Sequence, residues 1–449
     1  MIKKEHFLIA VFLEFFAFGA HAQIFSDESI AKDNQFPLKF SGTSDFSGAF
    51  YQQNSVFENK FLPNVDVSNT YSKGYGFGNN SKLYGKIENE YEDLTYGFST
   101  KFELEANSNQ NRARIDLDEA FVFAQNDYGK VELGNVVAVN QKMKVGPAKF
   151  ARGGGGINGN YLKYINLPNA NINLSNIKTP SFILVPQSPI GHGGYAVGFN
   201  DSFNNDRLRV IRSRSFKGSE DAFKINYYTP RMNGFQFGTS YTNSTQNSAA
   251  SSTIFSPIVV NEVLSLGANY TNNIDNFGYA ISATAESGKF NKDKNSGIDR
   301  NNLNSFDIAT TLTYFGFTFG GSFGSWQRSL QEKSGINSCE YSSNIAIANQ
   351  NCTLNAQKFN SASYYTLGIS YQIGHLGTSI TTMESSFQKN DYSTIAFDID
   401  YKIKKHFTTY LEVAKFEFKS NQVKALDVAN KQISDNKGYV TLLGFLYSF

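Results

Sequence analysis

The stretch that decides the fold is carboxyl-terminal: Gly438-Tyr439-Val440-Thr441-Leu442-Leu443-Gly444-Phe445-Leu446-Tyr447-Ser448-Phe449. Side chains of an extended strand alternate between its two faces, and one face here carries an almost continuous aromatic and apolar row. Such a row, ending on Phe449, is typical of a strand that faces lipid, with Tyr and Phe at the head groups. The alternative for this segment alone is the last strand of a soluble sheet packed on a core.

The amino terminus has the pattern of a secretory signal peptide. Lys3 and Lys4 precede a mostly apolar run over residues 7–18, and Ala20-His21-Ala22 follows as a cleavage site. We predict a signal peptide over residues 1–22 and a mature chain over residues 23–449. No later stretch approaches the length of apolar sequence that a membrane-spanning helix needs, so an integral membrane protein of this sequence must be a closed barrel.

The composition agrees with a barrel of many strands. The chain has 41 Phe, 25 Tyr and 37 Gly but one Trp and nine Pro. Its mean hydropathy of -0.36 would suggest a soluble protein, but half of the residues in transmembrane strands face water. The formal net charge of +2 gives no indication of a nucleic-acid partner.

Alternating segments separated by turn residues recur along the whole chain. They predict strands over residues 38–50, 82–91, 95–106, 115–125, 130–139, 221–228, 234–242, 262–270, 277–286, 305–314, 317–327, 364–372, 377–387, 392–402, 407–418 and 438–449. Turns are short on one side and loops long on the other. We predict an all-β fold, a 16-stranded antiparallel transmembrane β-barrel, because an even number of strands in this rhythm is the outer-membrane signature.

Charged residues alternate with apolar ones in the early strands, which predicts a wet lumen. The carboxylates in this pattern are Glu88, Glu90, Glu103, Glu105, Asp116 and Asp118. Asp116 and Asp118 could alternatively bind calcium, although lining the lumen is the simpler interpretation. One loop, residues 140–205, is too long for a simple connection, and such loops are commonly functional or disordered.

Several motifs resemble the general porins of Gram-negative bacteria, particularly those of alphaproteobacteria. They are Phe40-Ser41-Gly42, the segments at 117–122 and 128–134, Lys224-Ile225-Asn226-Tyr227-Tyr228-Thr229-Pro230 with Gly234-Phe235-Gln236, and the terminal Phe449. The resemblance implies a homotrimer in the outer membrane. It also implies that the third long loop, residues 140–205, folds into the lumen as the constriction and that Phe449 is recognised by the barrel assembly machinery.

The charges of the loop depart from the family's pattern of an acidic loop facing an arginine ladder. The loop carries Lys142, Lys144, Lys149, Arg152, Lys163 and Lys178 against Asp201 alone, and the cluster Arg207, Arg209, Arg212 and Arg214 follows it. We predict a charged constriction built from some of these bases against the wall carboxylates, which would favour anions. The alternative is that many of these bases lie outside the lumen, near lipopolysaccharide phosphates or in solvent.

Two cysteines, Cys339 and Cys352, lie in one polar stretch, and an exported chain passes through an oxidising compartment, so we predict a disulfide. Two free thiols are the alternative. The G-x-S-x-G match at residues 320–324 lies within a predicted strand and lacks the strained elbow of a hydrolase. We therefore predict no enzyme activity and no cofactor or metal site.

These observations predict a water-filled channel for passive diffusion of ions and small hydrophilic solutes. A substrate-specific channel is the first alternative, and it would have an aromatic slide and a polar track along the lumen. A barrel that acts mainly as a surface adhesin or antigen is the second.

Overall fold

The computed structural model describes residues 38–54, 74–107, 112–165, 182–190, 195–196, 222–245, 259–291, 299–331, 333, 338–339, 352–353, 361–387, 390–420, 425–426, 432–433 and 435–449. Nearly all of them belong to one compact unit, Phe40–Phe449. The predicted signal peptide lies outside the described residues.

Sixteen strands form one closed antiparallel barrel in chain order. They are β1 Leu38–Gln52, β2 Tyr75–Tyr91, β3 Leu94–Asn107, β4 Arg112–Asn126, β5 Gly129–Asn135, β6 Phe223–Tyr228, β7 Phe235–Ser244, β8 Val259–Ile274, β9 Phe277–Asn291, β10 Leu303–Tyr314, β11 Phe317–Gln327, β12 Ala362–Ile373, β13 Leu376–Phe387, β14 Asn390–Lys404, β15 Phe407–Ser420 and β16 Asp435–Ser448. The sixteen-stranded prediction is confirmed.

The first and last strands close the barrel. β1 pairs with β16 from Thr43 opposite Ser448 to Gln52 opposite Tyr439. Beyond the strand end, Phe449 exchanges two backbone hydrogen bonds with Gly42, at 3.0 and 3.1 Å. Closure leaves no unpaired edge, which is the condition for a sheet in lipid.

The outer surface is apolar and the two faces of β16 follow the predicted alternation. Phe445 and Tyr447 on the outward face are 45% and 46% exposed, whereas Val440 and Leu442 on the inward face are 0% and 1% exposed. The same outward apolar row recurs around the barrel, as at Phe98 of β3 and Phe397 of β14. The exterior therefore suits acyl chains rather than water.

The strand ends differ from the predicted ones where polar residues continue a strand. β2 begins at Tyr75, so residues 75–81, predicted as part of a polar loop, extend the wall. Residues 78–81 pair with β3 through the strand register, from Gly78 opposite Asn107 to Ser81 opposite Leu104. Conversely β5 ends at Asn135 rather than at residue 139, because the chain leaves the wall there. Polarity is a poor guide to the strand bounds at both places. The polar residues at the start of β2 belong to a strand with water-facing positions, and the apolar residues after β5 belong to the loop.

The described helices are short. After β5 come one α-helical turn, α1 Val139–Lys142, and 3-10 segments at Pro147–Lys149, Gly156–Asn158 and Asn160–Tyr164. Among the described residues no helix is long and apolar enough to cross a membrane. Two-residue pairings join Phe182–Ile183 to Tyr195–Ala196, Ser338–Cys339 to Cys352–Thr353 and Ala425–Leu426 to Gln432–Ile433.

Candidate functional site

The chain after β5 turns into the barrel and packs against the inside of the wall. Val139 and Tyr161 are fully buried there. The backbone N–H of Val139 donates to Ser240 Oγ of β7 at 2.8 Å, and that of Val145 donates to Ser282 Oγ of β9 at 3.1 Å. The described part of the predicted 140–205 loop is thus an inward-folded segment, which we call the inward loop.

Basic side chains of the inward loop contact carboxylates of the wall. The pairs are Lys142 with Glu132 at 2.9 Å, Lys144 with Asp307 at 2.8 Å, Lys163 with Glu105 at 3.0 Å, and Arg152 with Asp400. These pairs lie on β5, β10, β3 and β14, so they fasten the loop at separate places around the wall. Each pair also neutralises a loop charge where it meets the lumen.

Lys144 is the most completely engaged of these bases. Besides Asp307, its Nζ donates to Tyr364 Oη at 2.7 Å and to the carbonyl of Pro186 at 2.6 Å. Three acceptors saturate the three donors of an ammonium group. Burial lowers the pKa of Lys144, and the Asp307 carboxylate opposes that effect. Because Pro186 belongs to the loop, this one side chain joins two parts of the loop to the wall.

Arg152 and the glycine run 153–156 contact the wall on the other side. Arg152 Nε donates to Asp400 Oδ2 at 3.1 Å, and its Nη2 contacts Oδ1, which is the bidentate arrangement. The backbone N–H of Gly156 donates to Glu412 Oε2 at 2.6 Å. At Gly154 a Cβ would lie 2.4 Å from the same carboxylate oxygen. A side chain at Gly154 would therefore overlap the wall, whereas Gly155 and Gly156 have positive φ angles of 92° and 53° that favour glycine.

Apolar packing fills the space between the loop and the wall from β11 round to β1. Tyr161, Leu162 and Phe182 of the loop share a buried cluster with Phe416 and Phe418 of β15. The rings of Phe182 and Phe418 meet edge to face with centroids 4.9 Å apart. Burial of apolar surface contributes about 25 cal/mol per Å², so this packing stabilises the docked loop.

A second buried cluster includes Trp326, the one tryptophan of the chain. Its Nε1 donates to the carbonyl of Gln187 in the loop at 2.7 Å, and the side chain is 1% exposed. Ser385 Oγ of β13 donates to the carbonyl of Ile183 at 2.7 Å. The loop backbone is thus bound to the wall by side chains as well as by packing.

The inner surface of β2 to β4 contrasts with the rest of the wall because its charged side chains stay partly exposed. They form pairs with one another: Lys86 with Glu88, Lys82 with Glu103 at 3.9 Å, and Lys101 with both Asp118 and Glu119. Side-chain exposure runs from 12% at Asp118 to 42% at Lys86. Accessible charged side chains of both signs on the inner surface indicate that this part of the wall faces water.

The predicted lining residues fall into four groups. Lys142, Lys144 and Arg152 lie inside the barrel on wall carboxylates, and Glu88, Glu103 and Asp118 lie on the wet wall of β2 to β4. Lys149 and Glu90 are exposed, and Lys149 donates to the carbonyl of Lys144 at 2.8 Å. The side chain of Asp116 and the whole cluster Arg207, Arg209, Arg212 and Arg214 lie outside the described residues.

Sequence reasoning missed most of the carboxylates that hold the loop. Asp307 and Asp400 bind loop bases, and Asp398 and Glu412 accept backbone N–H groups of the glycine run. A signal was present, because Asp398 and Asp400 alternate with Ile399 and Tyr401 on a predicted strand. Because the loop is basic, the inward carboxylates Asp398 and Asp400 could have been predicted to form ion pairs with its side chains.

Comparison with known proteins identifies the class of this barrel. A family model described as "Gram-negative porin" matches residues 8–421. The chain belongs to the Gram-negative porin family. With the closed barrel, this membership makes it an outer-membrane protein that forms a water-filled channel for passive diffusion of small solutes.

Similar chains and solved structures are distant in sequence. An uncharacterized protein of Rickettsia bellii is 24% identical over 471 residues, covering 94% of this chain and 95% of its own. One of Rickettsia typhi is 22% identical over 486 residues, covering 95% and 97%. The anion-selective porin from Comamonas acidovorans is 13% identical with a TM-score of 0.50, covering 92% of this chain and 99% of its own. A mutant of Rh. blastica porin is 11% identical with a TM-score of 0.49, covering 92% and 100%.

Three further sequence motifs of this porin have defined places. Cys339 lies directly opposite Cys352 in a two-residue pairing outside the barrel wall. Ser322 of the G-x-S-x-G match lies on the inner face of β11 and shares a 2.7 Å hydrogen bond with Thr366. The ring of Phe449 lies beside that of Tyr447, with centroids 6.1 Å apart.

Proposed function

We propose that solutes pass between the inward loop and the part of the β2 to β4 wall that carries Lys86, Glu88 and Lys101, away from the Lys163–Glu105 pair that joins the loop to β3. Support comes from the difference in burial: the wall carboxylates Asp307, Asp398 and Glu412, which the loop contacts, are 6%, 1% and 0% exposed, while the side chains of Lys86 and Glu88 are 42% and 21% exposed. The loop acts as the sieve because its described residues pack against the inside of the barrel wall.

The channel discriminates weakly between ions of opposite sign. The loop bases that were predicted to attract anions are paired, Lys144 with Asp307 and Arg152 with Asp400. On the path itself Lys101 is held between Asp118 and Glu119. The electrostatic fields of closely spaced opposite charges in water largely cancel one another. Salt screens the remainder over a Debye length of about 8 Å at physiological ionic strength. Anion preference stays a prediction, and it would need bases beyond these pairs, such as the cluster at residues 207–214.

The experiment is single-channel recording under a salt gradient. We expect a reversal potential close to zero in the wild type. Lys101→Gln removes the base that faces two carboxylates and should shift the potential toward cation selectivity, whereas Lys289→Gln, at an exposed pair with Glu262, should not. Strong anion selectivity in the wild type would contradict the balanced path and support the predicted basic constriction.

We also propose export by the signal peptide at residues 1–22, recognition of Phe449 by the barrel assembly machinery, association as a homotrimer and contact with lipopolysaccharide. The apolar exterior of the barrel supports the proposals of lipid contact and of association with other copies, because an apolar surface must be covered by lipid or by protein. Chemical cross-linking in detergent tests the trimer, and bands no larger than one chain would contradict it.

The substrate-specific channel remains the alternative. Saturation of conductance with rising solute concentration would favour it over free diffusion. The adhesin alternative would require binding that is lost on deletion of an outer loop while conductance persists.

A further inference from the structure

The inner faces of β14 and β15 bring two carboxylates together. Asp398 lies directly opposite Glu412 in the strand register, where opposed Cα atoms are about 4.5–5.5 Å apart. Both side chains are buried, with exposures of 1% and 0%. Like charges directly opposite each other destabilise a sheet, and buried charges need compensation.

The bases of the loop supply only part of that compensation, because the guanidinium of Arg152 attracts Asp398 but is bonded to Asp400. Arg152 is the nearest one, and Asp400 engages its guanidinium through both Nε and Nη2. The backbone N–H of Gly154 lies 3.4 Å from Asp398 Oδ2, and that of Gly156 lies 2.6 Å from Glu412 Oε2. These bonds use one oxygen of each carboxylate. Asp398 Oδ1 and Glu412 Oε1 are buried without a hydrogen-bond partner in the described part of the chain.

Two hydroxyl oxygens of β13 extend this patch. Ser379 lies directly opposite Asp398, and Thr381 Oγ1 would lie 3.0 Å from a Cβ at Gly156. Both hydroxyls are buried, and neither has a hydrogen-bond partner among the residues described. Two carboxylate oxygens and two hydroxyl oxygens that lack hydrogen-bond partners among the described residues thus lie at neighbouring inner positions of β13, β14 and β15, where the glycine run meets the wall.

We propose that this patch binds one hard divalent cation of the Ca²⁺ type. Its ligands would be Asp398 Oδ1 and Glu412 Oε1, with Thr381 and Ser379 hydroxyls and water completing the shell. Oxygen-only ligands suit hard cations, and one divalent charge neutralises two carboxylates. In the described ranges no three His, Cys, Asp or Glu side chains form a metal-ligating group, so hydroxyls and water must supply the remainder.

The cation has a structural consequence for the loop. The carboxylates that would bind it also accept the N–H groups of Gly154 and Gly156. A bound cation therefore holds both carboxylates ionised in the orientation that accepts the glycine run. The proposal does not depend on what passes through the channel.

The test measures Ca²⁺ on the full mature chain refolded in detergent free of lipopolysaccharide, which itself binds divalent cations. After chelation and dialysis, calorimetric titration with Ca²⁺ and metal analysis of the repurified protein should give one equivalent per chain. Asp398→Asn and Glu412→Gln should each weaken binding at least tenfold. Glu286→Gln, which alters a buried wall carboxylate on β9 bonded to Ser265, should leave the titration unchanged.

Thermal unfolding gives the second readout. The chelator should lower the melting temperature of the wild type, and Ca²⁺ should restore it, with neither effect in Glu412→Gln. Absence of Ca²⁺ binding together with a melting temperature that chelator does not change would overturn the proposal and favour a shared proton or water. Binding that survives in both variants would overturn the assignment of these ligands. The wild-type titration decides the matter even if a variant fails to fold.

Discussion

Replacing Lys144 by Met should detach the inward loop from the wall near Trp326. The ammonium group of Lys144 contacts Asp307 at 2.8 Å with side-chain exposures of 11% and 8%. Removing one partner of a buried pair strands the other charge and costs about 3–5 kcal/mol. At a denaturant dependence of about 2 kcal/mol per molar, a loss of 3 kcal/mol lowers the midpoint of loop undocking by about 1.5 M.

Trp326 makes the assay specific to the loop. It is the one tryptophan of the chain, and it donates to the carbonyl of Gln187, the residue after the Pro186 that Lys144 also binds. A red shift of tryptophan emission during denaturant titration therefore reports undocking. Electrophoretic mobility of the unheated protein reports the barrel separately and should change at higher denaturant.

Two control variants test whether the effect of Lys144→Met comes from the buried ion pair. Lys289→Met breaks an ion pair with Glu262 whose side chains are 67% and 50% exposed. It should cost no more than about 1 kcal/mol, which lowers the midpoint by at most about 0.5 M. Lys144→Met combined with Asp307→Asn removes the stranded charge and should recover part of the loss. A Lys144→Met midpoint equal to that of Lys289→Met would refute the buried pair.

Other expectations follow from single contacts. Gly154→Ala places a Cβ 2.4 Å from a wall carboxylate oxygen, so it should displace the loop and alter single-channel conductance, while an unchanged conductance would contradict the close approach. Cys339 and Cys352 lie opposite each other, so the unreduced chain should resist alkylation and gain two alkyl groups only after reduction; alkylation without reductant would show free thiols. Deletion of Phe449, whose backbone bonds Gly42 at 3.0 and 3.1 Å, should reduce the amount of heat-modifiable barrel in outer-membrane fractions, and a normal amount would contradict its role in assembly.

The barrel could be predicted from the sequence because each strand carries its own evidence. The alternation in β16 placed Phe445 and Tyr447 outward, and both are about half exposed. Strand pairing between neighbours in the chain leaves few topologies to choose from. The start of β2 was missed because Gly78, Asn79 and Asn80 have the composition of a loop, although water-facing strand positions tolerate the same residues.

The docking of the loop could not be predicted in the same way. Lys144 and Asp307 are 163 residues apart, and no period connects them. The sequence indicated that the loop was basic and that acids lay on the wall, which was correct for Lys163 and Glu105. The sequence did not reveal that wall carboxylates would neutralise the basic side chains of the loop, because the residue type alone does not show whether a base forms an ion pair.

Single-channel recording of the purified protein in a planar bilayer tests the central claim, that a water-filled path lies between the loop and the wall. We expect stepwise, ohmic conductance increments that scale with bulk salt conductivity. A folded, heat-modifiable barrel that inserts but yields no conductance steps would contradict that claim.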